Sequence, residues 1–198
     1  MKNRISHIFF IAVLCFGIGG TLAYFSYSRM ADNIFQVGSN VIQIQENYEP
    51  PKELIVGENL FRKRVQVKNT GSVSCFVRVF ADFSDYAVKR CSFISPDGSV
   101  YYPADEYEYN LPESWVYISA EEDELLGGFY YYTIPLEKGK STTALFEKIK
   151  CSFQTAEEIR EFDILVSAES VQIYDKEGAE FTGADGYQAA WEEYLERR

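Results

Sequence analysis

Histidine is nearly absent from this 198-residue sequence, and its absence limits the chemistry open to the chain. The one histidine, His7, lies in the apolar N-terminal segment. An H-E-x-x-H zinc site, a histidine-based catalytic triad and an imidazole general base all need histidine elsewhere, so all three are excluded. The sequence therefore predicts a protein that is not an enzyme and that uses no cofactor or metal ion.

Cysteine is also scarce. Cys15 lies in the N-terminal segment, which leaves Cys75, Cys91 and Cys151 in the rest of the chain. No C-x-x-C pair occurs, so neither a zinc ribbon nor a thioredoxin-like site is indicated. Three thiols permit one disulfide and one free cysteine, or no disulfide, and the sequence does not assign the pairing.

Basic charge is in deficit. Lys and Arg number 19 against 30 Asp and Glu, which gives a formal net charge of −11. No cluster of basic residues offsets this balance, and such a surface repels a phosphate backbone. The sequence therefore excludes nucleic acid as a partner.

Long apolar runs are missing beyond the first 23 residues. Lys2 and Arg4 precede an apolar stretch over Ile8–Ile18, and the small residues Thr21 and Ala23 follow. This pattern predicts a signal peptide over residues 1–23, cleaved between Ala23 and Tyr24, and hence a secreted protein with no stable membrane span. An uncleaved anchor is the alternative, but the apolar stretch falls short of the roughly 20 residues that cross a bilayer.

Aromatic residues are abundant, with 15 Tyr and 15 Phe, and they suit half-buried strands. After a flexible segment at residues 24–33, alternating apolar positions predict an all-β, jelly-roll-like antiparallel β-sandwich over residues 34–175. A tail with a short C-terminal helix, marked by Ala189, Ala190, Trp191 and Leu195, is predicted over residues 176–198. The predicted strands are Phe35–Glu46 (a strand pair or a bulged strand), Leu60–Lys68, Val73–Phe83, Trp115–Ile118, Phe129–Leu136, Thr142–Cys151 and Phe162–Tyr174.

Two features of these strands carry further expectations. The turn residues Asn69–Ser72 predict a β-hairpin between the second and third strands. In the last strand, a period of two places Ile164, Val166 and Ala168 on one face, and Leu165, Ser167 and Glu169 on the other. Glu169 is then either a buried functional acid or a residue facing solvent or an arginine such as Arg78.

Carboxylates supply the best enzymatic alternative. Asp105, Glu106 and Glu108 lie close in sequence to Trp115 and to several tyrosines, a composition that can grip a sugar. The simpler interpretation is an acidic loop that keeps an aromatic-rich β protein soluble. No D-x-[DN]-x-[DN]-G calcium loop occurs. The run Tyr130–Tyr132 is likewise interpreted as sheet surface and core rather than as a ligand platform.

Several segments together resemble the TasA/camelysin-like family of exported bacterial proteins. Gly19–Phe25 is similar to the end of that family's signal peptide, and Phe35-x-Val37-Gly38 leading to Ile42-x-Ile44-x-Glu46 is similar to its first mature strand. Further similarities are Lys68–Ser72 with Phe76–Val79 as a central hairpin, Phe129–Tyr132 with Pro135, Leu136 and Gly139 as a later hairpin, Phe162–Ile164 through Ala168–Gln172 as the closing strand, and Trp191 in the tail. The resemblance implies processing by a signal peptidase of the SipW type and a location in the extracellular matrix or at the cell surface.

The resemblance also implies a function. The chain is expected to be a subunit of biofilm matrix fibres or a surface component, self-associating by addition of an N-terminal strand to a neighbour. Candidate donor residues are Tyr24, Phe25, Tyr27, Phe35 and Val37. Two alternatives stay open: a monomeric secreted module that binds polysaccharide or a partner protein, and a carboxylate-dependent hydrolase.

Processing is the first testable expectation. The secreted form should begin at Tyr24 or Phe25, because small residues at Thr21 and Ala23 occupy the −3 and −1 positions of the cleavage site. N-terminal sequencing of the protein from culture medium measures this directly. An intact chain beginning at Met1 and retained in the membrane would contradict it.

Overall fold

A computed structural model of the protein describes residues 39–51 and 53–197. The predicted cleavage site at Ala23 and Tyr24 lies outside these residues, as do the donor-strand candidates Tyr24, Phe25, Tyr27, Phe35 and Val37. Within the described residues, no helix is long and apolar enough to cross a membrane.

Two antiparallel sheets pack face to face. The five-stranded sheet has the order β1 (Ile42–Glu49), β2 (Gly57–Asn69), β8 (Phe146–Phe153), β4 (Ser92–Ser95) and β5 (Tyr102–Pro103). The four-stranded sheet has the order β6 (Trp115–Ile118), β7 (Phe129–Leu136), β3 (Cys75–Phe83) and β9 (Ile164–Gln172). Every pair of neighbouring strands is antiparallel, which confirms the predicted all-β sandwich.

The main core lies between the sheets and follows from the alternation of the strands. In β2, Phe61, Val65 and Val67 are buried, whereas Arg62 and Arg64 between them are not. The other sheet contributes Val77 and Val79 of β3 to the same cluster, together with Trp115 and Tyr132. Burial of one apolar face per strand is the main force that holds two such sheets together.

A second core covers the outer face of the four-stranded sheet. Helix α2 (Gly186–Glu196) packs there, with Trp191 fully buried and Ala190 3% exposed. Its partners include Phe76, Tyr131 and Val171 from the sheet. The C-terminal helix predicted around Trp191 is therefore confirmed.

The predicted hairpins are wrong. β2 pairs with β1 and β8, whereas β3 pairs with β7 and β9, so the Asn69–Ser72 turn carries the chain from one sheet to the other. Likewise β7 and β8 belong to different sheets. Turn residues mark where a strand ends, but which strands then pair is decided by the long-range burial of their apolar faces.

Asn69 explains the crossing after β2. Its side-chain amide donates hydrogen bonds to the carbonyls of Val73 and Leu136, each at 2.8 Å, and its Oδ1 accepts from the N–H of Gly71 at 2.9 Å. Asn69 is completely buried, so these bonds satisfy polar groups that water does not reach. The turn is thereby tied to β7 of the second sheet rather than closed into a hairpin.

A short helix between β3 and β4 is absent from the sequence-based prediction. Helix α1 (Tyr86–Arg90) begins after Asp85, whose carboxylate accepts from the N–H groups of Ala87 and Val88 at 2.8 and 3.1 Å. These N-cap bonds hold the pKa of Asp85 below its usual value. The N-cap residue Asp85 was the one indication of this helix in the sequence, because five residues are too few to show a helical period.

The predicted faces of the last strand are confirmed. Ile164, Val166 and Ala168 are half-buried against the main core, whereas Leu165 and Ser167 are exposed. The strand is shorter than predicted at both ends, because Asp163 pairs with Ser84 in a loop and Ile173 lies beyond the ladder.

These faces predict a difference between neighbouring substitutions. Ile164→Ala should lower the free energy of unfolding by about 2 kcal/mol, the low end for isoleucine truncations, because the side chain is half-buried. Leu165→Ala is the matched control, since Leu165 is 48% exposed, and should change it by no more than about 0.5 kcal/mol. Chemical denaturation measures both, and an equal loss for the two variants would contradict the assignment.

Candidate functional site: the open edge of β9

The two sheets end in four edge strands, which differ in how well they are protected. β5 has two residues, one of them Pro103, and β6 has four. β1 is longer but carries Glu46 and Glu49 among its eight residues. Short length, proline and charge are the usual devices that prevent an edge strand from pairing with another chain.

β9 is neither short nor interrupted by proline, and its one charged residue is Glu169. The strand runs for nine residues, ILVSAESVQ, without proline or lysine. It pairs with β3 in one uninterrupted register from Ile164 opposite Phe83 to Gln172 opposite Cys75, so no bulge twists the strand away. Among the described residues, no strand pairs with its other side. We refer to the side of Ile164–Gln172 that faces away from β3 as the β9 edge.

Main-chain groups make the β9 edge able to bind an extended segment. In an antiparallel ladder, alternate residues bond to the neighbouring strand, and the peptide groups between them point the other way. The side chains offer apolar contacts on both faces, with Ile164 and Val166 half-buried on one and Leu165 48% exposed on the other. An added strand would therefore find hydrogen-bonding partners and apolar neighbours along the same nine residues.

The only charge on β9, Glu169, is neutralised from the next strand. Arg78 lies directly opposite in the register, and its Nε and Nη2 donate to Glu169 Oε2 at 2.8 and 2.5 Å. The arginine is 4% exposed, so the pair is shielded from solvent on one side. The prediction that Glu169 faces an arginine such as Arg78 is confirmed. Because its charge is neutralised, Glu169 does little to prevent another strand from pairing with the edge.

Aromatic rings enclose the Arg78 guanidinium. Its central carbon lies 4.0 Å from the ring centroid of Phe129 and 4.2 Å from that of Trp191, and Nη1 donates to the hydroxyl of Tyr131 at 3.3 Å. Burial raises the pKa of Tyr131, and the nearby Arg78 charge opposes that rise. The Tyr131 hydroxyl in turn donates to the Leu126 carbonyl at 2.6 Å. This group of side chains joins β3, β7 and β9 to helix α2.

β1 lies beside β9 on the same side of the sandwich, within 8 Å between main chains at some positions. Its inward-facing Glu46 bonds to the buried Lys63 of β2 at 2.7 Å, and Lys63 also lies 5.0 Å from the ring centroid of Tyr48. This ion pair, in which Lys63 is buried and Glu46 is partly exposed, ties this half of β1 to β2. β1 therefore carries two charged side chains among its eight residues, whereas β9 carries one among nine.

The carboxylates considered for sugar chemistry do not form a cleft with Trp115. Asp105 and Glu106 are exposed and Glu108 is half-buried in a 3-10 turn over Tyr107–Tyr109. Trp115 is 4% exposed, and its indole N–H donates to the Thr143 carbonyl at 3.3 Å in the interior. The indole ring is thus not available as a platform for a sugar.

The interior offers little space for a ligand. A cavity of about 20 Å³ lies between the sheets beside Phe83, Tyr107, Tyr130 and Ile149, which is room for roughly one water molecule. Tyr131 and Tyr132 are buried and Tyr130 is half-buried, as expected for sheet residues. Within residues 39–51 and 53–197, no group of three or more potential ligand side chains is placed to hold a metal ion.

The three cysteines that the structure describes are free. Burial raises the pKa of Cys75 to about 12 and that of Cys151 to about 11, so both thiols are protonated at neutral pH. Cys151 accepts a hydrogen bond from Ser92 Oγ at 3.1 Å, and Cys91 donates to the Val88 carbonyl at 3.2 Å. The question of pairing that the sequence left open is answered in favour of no disulfide in this structure.

The structural class of the protein is a two-sheet antiparallel β-sandwich with one helix-covered face and, among the described residues, one long unprotected edge. No protein-family model matches the chain, and no curated protein is significantly similar to it. The residues of β9 identify a strand but not its position at the end of a sheet, so the β9 edge could not be predicted from the sequence.

The enclosure of Arg78 generates a prediction. Arg78→Met keeps an unbranched side chain but removes the charge, leaving Glu169 unpaired and α2 without its cation–π contact. The free energy of unfolding should fall by about 2–4 kcal/mol, with α2 losing hydrogen-exchange protection before β2 and β8. Arg62→Met on the other sheet is the matched control, and should cost no more than about 1 kcal/mol. An α2 as protected in Arg78→Met as in the wild type would contradict this role.

Proposed function

We propose that this protein is an exported structural subunit of the bacterial cell surface or extracellular matrix, and that it assembles into fibres by strand addition. The resemblance of its sequence to TasA/camelysin-like proteins suggests that role. The observation that carries the proposal is the β9 edge, a nine-residue strand without proline, lysine or bulge. Folded proteins usually protect such a strand, and its exposure is the property that strand addition requires.

The donor in this proposal is the N-terminal segment. Cleavage after Ala23 frees a terminus rich in aromatic residues, and Phe35 and Val37 continue it with alternating apolar positions. An extended segment of this kind pairs through main-chain hydrogen bonds, while alternate side chains such as Tyr24, Phe25 and Tyr27 set its register. Before cleavage the same segment is joined to the signal peptide. Export would therefore delay assembly until the protein is outside the cell.

Head-to-tail pairing of this kind is open-ended. The donor segment of one molecule occupies the β9 edge of the next, whose own donor segment is still free. Such a contact does not close into a dimer, so it produces filaments. A monomeric binding module, the alternative function, predicts no growth of particles with concentration.

A single lysine on the edge tests the proposal. Ser167→Lys places a charge at an exposed position of β9, and should raise the concentration needed for fibre formation about tenfold or more. Gln43→Lys is the matched control, because Gln43 is an exposed polar residue of β1, the other long edge strand. The chain beginning at Tyr24 is used throughout, with fibres counted by electron microscopy over a concentration series.

A second arm tests the donor. A chain lacking residues 24–33 should form no fibres while keeping the circular dichroism spectrum of the longer form. Undiminished fibres from that chain, or an equal effect of the two lysine substitutions, would refute strand addition at β9. A protein that stays monomeric at every concentration would favour the binding module instead.

A further inference from the structure

Although the chain is acidic, the outer face of the five-stranded sheet is basic. The residues that alternate with the core positions of β2 and β8 include five cations. We call this surface the basic face, and its members are Arg62, Arg64, Lys68, Lys148 and Lys150. Among the residues that the structure describes, three carboxylates form ion pairs with these cations, those of Glu49, Glu58 and Glu147.

The charges of the basic face are only partly balanced within the molecule. Arg62 lies directly opposite Lys148 in the register, an arrangement that destabilises an isolated sheet. Arg62 reaches Glu49 only at 3.9 Å, and Lys148 bonds to the main-chain carbonyl of Gly98 at 3.4 Å. Lys68 has no ion pair among residues 39–51 and 53–197. Lys148 therefore has no ion pair within the described residues and Arg62 has only the distant Glu49, which leaves both cations available to an external anion.

The centre of the basic face is also uncovered. Leu60, which lies two residues from Arg62 and opposite Lys150, is 56% exposed. The opposite sheet buries its outer face under helix α2, whereas the second hydrophobic cluster of the described residues includes no residue from the basic face. The five-stranded sheet therefore presents to solvent an apolar position that lies between Arg62 and the Glu58–Lys150 ion pair.

The other side of the sandwich carries the complementary charge. Helix α2 exposes Glu192 and Glu196, and the β6–β7 loop beside it exposes Glu121, Glu122 and Glu124. The loop is held next to the helix, because Leu126 shares the core cluster of Trp191. These five carboxylates form the acidic face. Since the outer faces of two packed sheets point in opposite directions, the basic and acidic faces lie on opposite sides of the molecule.

We propose that the basic face of one molecule docks on the acidic face of a second copy of this chain. The inference rests on the proposed function, because it supplies a second contact within the same fibres. Each contact uses the basic face of one molecule and the acidic face of the next. A stack of any length therefore keeps a free basic face at one end and a free acidic face at the other. The contact is heterologous and open, and it stacks molecules perpendicular to their sheets.

The size of the basic face sets the strength of the contact. The basic face lies on β2 and β8 with β1 beside them, and three strands of eight or more residues span roughly 10 Å by 26 Å, which gives a face of roughly 250 Å². A stable protein interface buries about 800 Å² on each partner. Stacking is therefore weak in isolation and depends on molecules that strand addition already holds together.

Charge reversal tests the proposal in the chain beginning at Tyr24. Arg62→Glu with Lys148→Glu makes the basic face acidic, and Glu121→Lys, Glu192→Lys and Glu196→Lys together make the acidic face basic. Each of these two variants alone should associate about tenfold more weakly than the wild type by sedimentation velocity. An equimolar mixture of the two should recover the wild-type association, because opposite charges then face each other in both kinds of contact.

Two controls isolate the contact. Lys138→Glu with Lys140→Glu makes the same change in net charge as the basic-face reversal, at an exposed turn that contains no member of either face, and should leave association unchanged. Raising NaCl from about 0.1 M to about 1 M shortens the Debye length from roughly 10 Å to 3 Å and should weaken stacking. Main-chain pairing at the β9 edge is not screened in this way, so Ser167→Lys should suppress fibre formation equally at both salt concentrations, whereas high salt should thin the wild-type fibres without abolishing them.

Three results would overturn the proposal. The first is a mixture that associates no better than either variant alone, and the second is a turn control that weakens association as much as the reversal of the basic face. The third is a basic-face variant that loses binding to polyphosphate but associates like the wild type, which would assign the face to an anionic polymer. If Ser167→Lys forms fibres like the wild type, strand addition at β9 is refuted, and the charge-reversal mixture then decides separately whether the two faces dock.

Discussion

The packing of the four-stranded sheet against helix α2 depends on the contacts of the buried Arg78 guanidinium. It is held between the rings of Phe129 and Trp191 and bonded to Glu169, so one side chain connects the central strand of the four-stranded sheet to helix α2 and to the edge strand β9. A charge this deeply buried is costly unless it is fully paired. The carboxylate that pairs it is also the only charge on β9. The Arg78–Glu169 pair that helps to hold the helix therefore also neutralises the one charge that could prevent another strand from pairing with the β9 edge.

Features of the fold that depend on neighbouring residues could be predicted from the sequence, whereas features that depend on residues far apart in the chain could not. Trp115–Ile118 and Phe129–Leu136 coincide with β6 and β7, because alternation and the flanking turns define a strand locally. The faces of β9 follow from the period of two, as does the position of Glu169 opposite Arg78. The hairpins fail because strand pairing is a long-range outcome: β2 finds β8 some eighty residues later, and no local pattern encodes that choice.

The candidate site was predictable only in part for the same reason. The donor residues at the N-terminus show a local pattern, so sequence analysis identifies them as hypotheses. The acceptor depends on which strand ends the four-stranded sheet, and that is a property of the topology. The basic face shows the same limitation, since Arg62 and Lys148 are separated by many residues and become neighbours only through the β2–β8 register. An overall net charge of −11 concealed a local concentration of cations.

The two proposed contacts differ in direction and in physics, and the difference determines the assembly that they would build. Pairing at the β9 edge extends the four-stranded sheet in its own plane and relies on main-chain hydrogen bonds, which salt does not screen. Stacking of the basic face on the acidic face runs perpendicular to that plane and weakens as ionic strength rises. A molecule with one open contact along each of two perpendicular directions forms ribbons that thicken laterally, not single filaments. Because the stacking contact is small, it acts only after edge pairing has raised the local concentration of faces. Fibres would therefore lengthen only after the signal peptide is removed, and they would become thinner as the ionic strength of the surroundings rises.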